Sequence, residues 1–457
     1  MTSSHMSRIV SISAAVALTL AACGGSDNST PTPPPEPANP LERDVTFGAG
    51  GEARITGASS GYVEATALQA DSTLLLGGSR PIATGGGKEP RRELFVRRLL
   101  VNGKVDTSFG QAGETVFSVL GNDRVQDILM QPDGKIVVVL WAIEPCDAVA
   151  VGRCLNAAGV DAEAGTGMLR LNTDGTRDNS FGNQGLVSEY GRGGQRSAPA
   201  PKVVLQPDGK LLKLETTSDH IMRLYSSSLK RYLPNGSVDP AFNGGLSVTP
   251  RCMADGDVLG LQADGHILVA GAGLEQGVTT LCIDRLKPDG QGDNSFPLTR
   301  SDVNVRPTAL RVLPNGDLQL AGQAFDASGS RLFGLRQDAT GAPRKDYGAD
   351  GIAYLPASGS AGSYEVQDIA IDAAGAVLAS SAFRVSVGPT IFQRRWLKLL
   401  ANGQADTGFA PGGILAASSL PAGYGAVEWL VDPQGRWITL DRNVSESVVT
   451  RFKGTQP

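Results

Sequence analysis

Aromatic residues are scarce in this 457-residue chain, at 5%, and histidine is nearly absent: His5, His220 and His266 are all there is. A multi-histidine metal centre is thereby excluded. No block of Lys and Arg stands out, and 41 basic against 46 acidic residues leave a formal charge of −5. Nucleic acid is not an expected partner, since phosphate binding needs a basic stripe. There is no nucleophile elbow, phosphate-binding loop or metalloprotease motif. No catalytic residue, cofactor or metal site is therefore assigned. What the chain does have is glycine, 58 residues, nearly double the usual ~7%. With 41% hydrophobic and 19% charged residues it can bury a core, and the glycine favours many tight turns over long helices.

The beginning of the chain carries an address. Arg8 supplies a positive start, and the apolar stretch from Ile9 to Leu20 is too short for a bilayer crossing that needs ~17–25 apolar residues. Residues 1–22 read as a secretory signal peptide, closed by Leu20-Ala21-Ala22-Cys23. That tetrapeptide resembles the bacterial lipobox. The resemblance implies cleavage before Cys23 and acylation of its thiol and its new amine. Several acyl chains, each adding ~0.8 kcal/mol per buried methylene, make a stable membrane anchor. An ordinary signal peptide with an incidental cysteine is the alternative. By analogy with enteric bacteria, the non-acidic Gly24 implies sorting to the outer membrane, on its periplasmic or its outer side. Residues 23–40 then form a tether. Six prolines and no larger apolar side chain keep it out of any core. At ~3.1 Å per residue, Gly24 to Pro40 can reach about 50 Å.

Two patterns alternate over residues 41–457. One is a tight turn between apolar runs, as in ILMQPDGKIVVV from Ile128, VVLQPDGKLLKL from Val203 and GLQADGHILVAG from Gly260, with weaker copies near 67, 311, 369 and 430. Asp-Gly between β-rich runs predicts a hairpin with a type I′ turn. The other reads RLLVNGKVDTSFGQAG from Arg98 and RLNTDGTRDNSFGNQG from Arg170, and recurs from Arg231, Arg285, Leu335 and Lys398, with an isolated copy around Asp44. Its aspartates are Asp44, Asp106, Asp178, Asp239, Asp293, Asp346 and Asp406, and the first and last lie 362 residues apart over six intervals, about 60 each. Such a period means stacked supersecondary units. Two hairpins per unit give four strands, and seven units arranged radially give an all-β, seven-bladed β-propeller. The last unit lacks the Asp-x-Thr-Phe-Gly element that the start of the body has to spare. A strand near Glu52 to Thr56 is therefore expected to complete the last blade and close the ring.

The motif aromatic is Phe47, Phe109, Phe181, Phe242, Phe296 and Phe409, with Tyr347 in the copy from Leu335, so six of the 13 Phe serve one repeated position. Used once per unit, it is expected to pack between blades at ~1.5–3 kcal/mol each, with the aspartate capping the following turn. These residues resemble the delta-60 repeat of bacterial exported proteins over about residues 41–453. The copy from Leu335 departs from it, and Pro297 replaces a glycine. The resemblance implies a propeller and no particular activity.

Asn172, Asp174 and Asp178 have the spacing of part of a calcium loop, but no bidentate Glu follows and turn chemistry accounts for every copy. Beyond Cys23 four cysteines remain, an even number for an oxidising compartment. Pairs Cys146–Cys154 and Cys252–Cys282 are expected, with free buried thiols as the alternative. Both tight turns of each unit fall on one face, so the variable connections share the opposite face. They include 79–93 with Lys88, Arg91 and Arg92, the loop 141–167 with Trp141 and Glu144, and 188–201, 248–256 and 383–393. Variable loops on a rigid scaffold are where binding sits. The chain is thus expected to be a lipid-anchored envelope propeller that binds an envelope protein or glycan through its long-loop face. The alternatives are an envelope enzyme, a hydrolase or lyase using carboxylates in the central cleft, and a purely structural surface protein.

Overall fold

The computed structural model describes residues 42–56, 61–82, 91–150, 153–192, 201–219, 224–251, 254–275, 278–297, 299–301, 304–326, 329–356, 362–385, 392–419, 425–442 and 446–453. The signal peptide, the tether, Cys23, Lys88, His220 and Cys252 lie outside them. Seven antiparallel sheets follow one another as blades of a single propeller. Each begins with a strand that packs against the first strands of its neighbours, and blade 7 returns to blade 1. From blade 1 to blade 7 these inner strands are Tyr62–Leu68, Arg124–Met130, Lys202–Leu205, Ala254–Leu261, Val305–Val312, Gly362–Ile371 and Gly425–Val431.

Both faces of every blade are covered by neighbours, so middle strands need not alternate apolar with polar residues. Ile136–Ile143 shows the result: all eight side chains of IVVVLWAI are buried. The apolar core is correspondingly divided into seven clusters, one at each junction between blades. Each contains or packs against one motif aromatic. Phe109 lies between blades 1 and 2, Phe181 between 2 and 3, and Phe47 between 7 and 1.

The ring closes as the chain ends suggest. Glu52–Thr56 pairs antiparallel with Glu446–Phe452, and the sheet continues through Trp437–Arg442 to Gly425–Val431. Blade 7 is therefore built from both ends of the body.

Four expectations need correction. Blade 3 has three strands, not four, and its outer edge is the single bridge Leu229–Val248. Pro250, which has no N–H to give a ladder, stops a longer run there. The Asp-Gly turns are not type I′. In blade 2 the Gly134 N–H donates to the Gln131 carbonyl oxygen at 2.9 Å, and only Gly134 has positive φ. That is a type I turn closed by a glycine bulge, as Pro132, fixed near φ −65°, requires. The loop placed at 141–167 is shorter, because strands Ile136–Ile143 and Glu163–Leu171 reach into it. It carries a small hairpin, Ala148–Ala150 with Arg153–Leu155. Finally, the motif position of blade 5 is Arg344 and not Asp346. Arg344 N–H donates to the Arg336 carbonyl oxygen at 3.0 Å, as Asp106 N–H does to Arg98, while Asp346 is exposed.

Candidate functional site

The two faces of the ring do different work. On the tight-turn face the motif residues are spent on holding blades together. In blade 2 Arg170 Nε donates to Asp178 Oδ2 at 2.8 Å, its guanidinium lies 4.6 Å over the Phe181 ring, and a second nitrogen donates to the Pro234 carbonyl oxygen of blade 3. Asp178 Oδ1 accepts the Ser180 N–H at 3.0 Å and hydroxyl at 2.6 Å, so the carboxylate does cap its turn. Gly182 N–H donates across the junction to Asn235. Arg98–Asp106, Arg231–Asp239, Arg285–Asp293 and Arg451–Asp44 repeat the pair at 2.7–2.9 Å. The glycine of the next blade's turn gives the ring its seat: a Cβ on Gly175 would meet Phe109 at 2.8 Å.

A second basic side chain follows the first-hairpin turn. Lys135 reaches Asp178 at 2.8 Å, His266 Nε2 stands 3.7 Å from Asp293, and Arg436 is 3.7 Å from Asp44. Blade 5 reverses the signs: Asp317 occupies the turn position and pairs with Arg344, Nε to Oδ1 at 3.0 Å. Against the upward push of burial, Lys135, Ser180 and Arg170 hold the Asp178 carboxyl far below the usual carboxylate range. The Ser295 hydroxyl leads in drawing Asp293 down to about 2, opposed by burial and helped by the Ser295 N–H and Arg285. Asn172 and Asp174 serve the neighbouring turn, Asn172 Nδ2 donating to Thr176 Oγ1 at 2.9 Å. Among the described residues no cluster of metal-ligating side chains forms.

The long-loop face differs. Six inner strands slip register near this end, at Val63/Ala65, Val125/Asp127, Asp255/Val258, Pro307/Ala309, Val366/Asp368 and Ala426/Glu428. A bulge re-aims a side chain, and bulges gather beside active sites. In blade 1 the bulged residue is Glu64. Its carboxylate accepts the Val125 N–H of blade 2 at 2.9 Å and the Ser79 hydroxyl at 3.2 Å. Burial pushes this carboxyl above the ordinary carboxylate range, against the pull of Arg442 and Arg124. Arg442 of blade 7 donates to the Val63 carbonyl oxygen at 3.3 Å. Arg92 reaches Ser79 Oγ at 3.5 Å and stacks 5.3 Å over the Tyr62 ring. Thr66 Oγ1 donates to Glu428 of blade 7 at 2.6 Å, fastening the seam beneath.

Of the residues expected to bind, Arg92 belongs to this mouth and Arg91 stands beside it, half-buried at the start of strand Arg91–Leu99. Trp141 and Glu144 do not. Trp141 is buried within its strand. The Glu144 carboxylate accepts Asn156 Nδ2 and the Glu163 N–H, both at 2.9 Å, and so shapes its own loop. Cys146 and Cys154 are joined there, Cα atoms 5.4 Å apart. Cys282 is buried in strand Val278–Leu286, opposite Gly271. Sequence reasoning missed Glu64, Arg124 and Arg442.

Glu64 should cost the fold stability when ionised. Its raised folded value means the native state holds the proton longer, so this contribution falls as pH rises from the ordinary glutamate value to the raised one. Glu64→Gln is expected to raise the unfolding midpoint at pH 7 and to leave it nearly unchanged at pH 4. Urea titrations at both values would show it, and a lowered midpoint at pH 7 would contradict the reading.

Among known families, the model described as "Domain of unknown function (DUF5122) beta-propeller" matches residues 158–181 and 262–296. No curated protein matches the chain. Similar solved structures include a protein of unknown function from Dyadobacter fermentans, 14% identical with TM-score 0.42, over 76% of this chain and 97% of that one. The polysaccharide lyase Uly1 is 12% identical with TM-score 0.43, over 86% and 90%. YCF48 from Cyanidioschyzon merolae is 12% identical with TM-score 0.42, over 88% and 98%. The chain thus carries a seven-bladed β-propeller domain, with two of its repeats matching the DUF5122 β-propeller.

Proposed function

We propose that this protein is a lipid-anchored binding module of the cell envelope, outer-membrane in location, that engages an envelope protein or glycan on its long-loop face. One observation carries the reading. The charged motif residues of the tight-turn face are committed to clasps within and between blades, whereas the opposite mouth holds Arg92, Arg124 and Arg442, which form no close ion pair among the described residues. Binding to a fixed scaffold is left to the second face.

The position of the first described residues supports the same arrangement. Arg43 bridges to Phe452 and Lys453 N–H donates to the Glu42 carbonyl oxygen, at the tight-turn end of blade 7. A tether joining the body there would attach at the edge of the tight-turn face, at the end opposite the long loops.

Cross-linking the lipoprotein in its own cells, with mass spectrometry of the adducts, tests the module. A partner captured by the native chain and lost when residues 144–162 are shortened is the expected result. Adducts confined to the tight-turn face would refute it. Cys23→Ala should in parallel release the protein from the membrane fraction.

A second reading, catalysis on a bound glycan, is favoured by Glu64 alone, a carboxyl poised above its ordinary range in a polar mouth. Turnover abolished by Glu64→Gln with binding retained would establish it over the first.

A further inference from the structure

We propose that the channel mouth beside blade 1 binds an acidic polysaccharide, with Arg92, Arg124 and Arg442 receiving its carboxylate or sulfate groups. The inference rests on the long-loop reading above and names its ligand.

The first ground is charge left over. Three arginines of blade 1 are committed: Arg80 holds Glu93 and Glu114, Arg97 holds Glu114, and Arg98 holds Asp106, at 2.6–2.7 Å. Arg92, Arg124 and Arg442 form no such ion pair among the described residues. Nor are they scattered. Arg92 and Glu64 share Ser79 Oγ, Arg124 immediately precedes the residue whose N–H Glu64 accepts, and Arg442 and Arg124 both act on the Glu64 carboxylate. Arg442 also feels Arg124 directly as a repelling charge. Three guanidiniums against two carboxyls, Glu64 and the Glu428 that also acts on Arg442, leave an excess of positive charge, and planar guanidinium forks match oxyanions in a two-pronged way.

The second ground is what surrounds the charge. Aligned with the bulged Glu64, the inner strands of blades 2, 5 and 6 present Gln126, Thr308 and Gln367, each half-buried. Gln367 Oε1 is buried and accepts no hydrogen bond. Amide and hydroxyl groups around a channel suit the hydroxyls of a sugar chain and offer little to the apolar side chains of a peptide. An anionic group fixed by arginine on a chain of hydroxyls satisfies both grounds.

The test uses the full-length lipoprotein in detergent micelles and polygalacturonate as probe, with neutral dextran and poly-L-glutamate as controls. Native protein should bind polygalacturonate in a salt-dependent way and dextran not at all. Arg124→Gln, at an exposed position, should weaken binding roughly tenfold, the effect of one charge-assisted hydrogen bond. Lys104→Gln makes the same charge change on the tight-turn face and should leave binding unchanged. Equal loss in both variants, or in neither, overturns the site. Poly-L-glutamate matching polygalacturonate with the same dependence on Arg124 overturns the sugar class in favour of an acidic peptide. No polygalacturonate binding, with a cellular partner still captured through the 144–162 loop, overturns this inference and leaves the binding module standing.

Discussion

Deleting residues 41–56 should cost the propeller its cooperative unfolding. The segment contributes Phe47 and Ile55, 2% and 3% exposed, to the junction between blades 7 and 1. Truncating such side chains singly costs ~3–5 and ~2–5 kcal/mol. Asp44 goes too, leaving Arg451, itself 3% exposed, without its carboxylate partner in the junction. Together these losses are on the order of 8 kcal/mol, comparable to the ~5–15 kcal/mol that holds a typical domain folded. The expected outcome is a broad, early melt by circular dichroism, restored towards a single transition when a peptide of residues 41–56 is supplied in trans. An unchanged melting curve would show that the ring does not depend on its terminal strand.

Asp178→Asn should destabilise by ~3–5 kcal/mol, the usual consequence of removing one partner from a buried ion pair. Arg170 and Asp178 are about 5% and 6% exposed, and Arg170 also faces the Phe181 ring and a carbonyl of blade 3. Asp406→Asn is the internal comparison. Its partner Lys398 has a quarter of its side chain exposed and lies 5.5 Å from the Phe409 ring, so water can take over the freed charge. A loss of ~1 kcal/mol or less is expected there. Urea midpoints of the two variants should differ accordingly, and equal effects would mean that burial does not set the strength of the clasps. Acid acts on them jointly. With folded values below the ordinary aspartate value, Asp44, Asp106, Asp178, Asp293 and Asp406 contribute stability above that value and lose it as pH falls through the lowered ones.

What could be read from the letters follows the repeat. Seven copies of a turn between apolar runs, and an aspartate recurring about every 60 residues, are local signals reinforced by repetition. The spare element at Asp44 made the closing strand legible for the same reason. Reading failed where letters and geometry part. In blade 5 the nearest aspartate, Asp346, stands two residues past the structural position, which Arg344 holds with opposite charge. Trp141, close to Pro145 and Cys146, looked like a loop residue because only the paired strands fix where Ile136–Ile143 ends, and Glu144, just beyond that end, is spent on contacts inside its own loop. Glu64 and Arg442 meet only because a bulge turns one towards a neighbour and the ring brings the other back from the far end of the chain. No spacing encodes that.

The reversed pair Asp317–Arg344 bears on how such a chain can change. The two residues lie 27 positions apart in one blade, in different hairpins. Joining the first hairpin of blade 2 to the second hairpin of blade 5 would set Lys135 against Arg344, two cations in a half-buried clasp. The reciprocal junction would set Asp317 against Asp178. Hairpins of these two blades are therefore not interchangeable parts. Recombination that exchanges these two blades whole keeps each clasp intact, while a crossover between their hairpins makes a like-charge defect in each product.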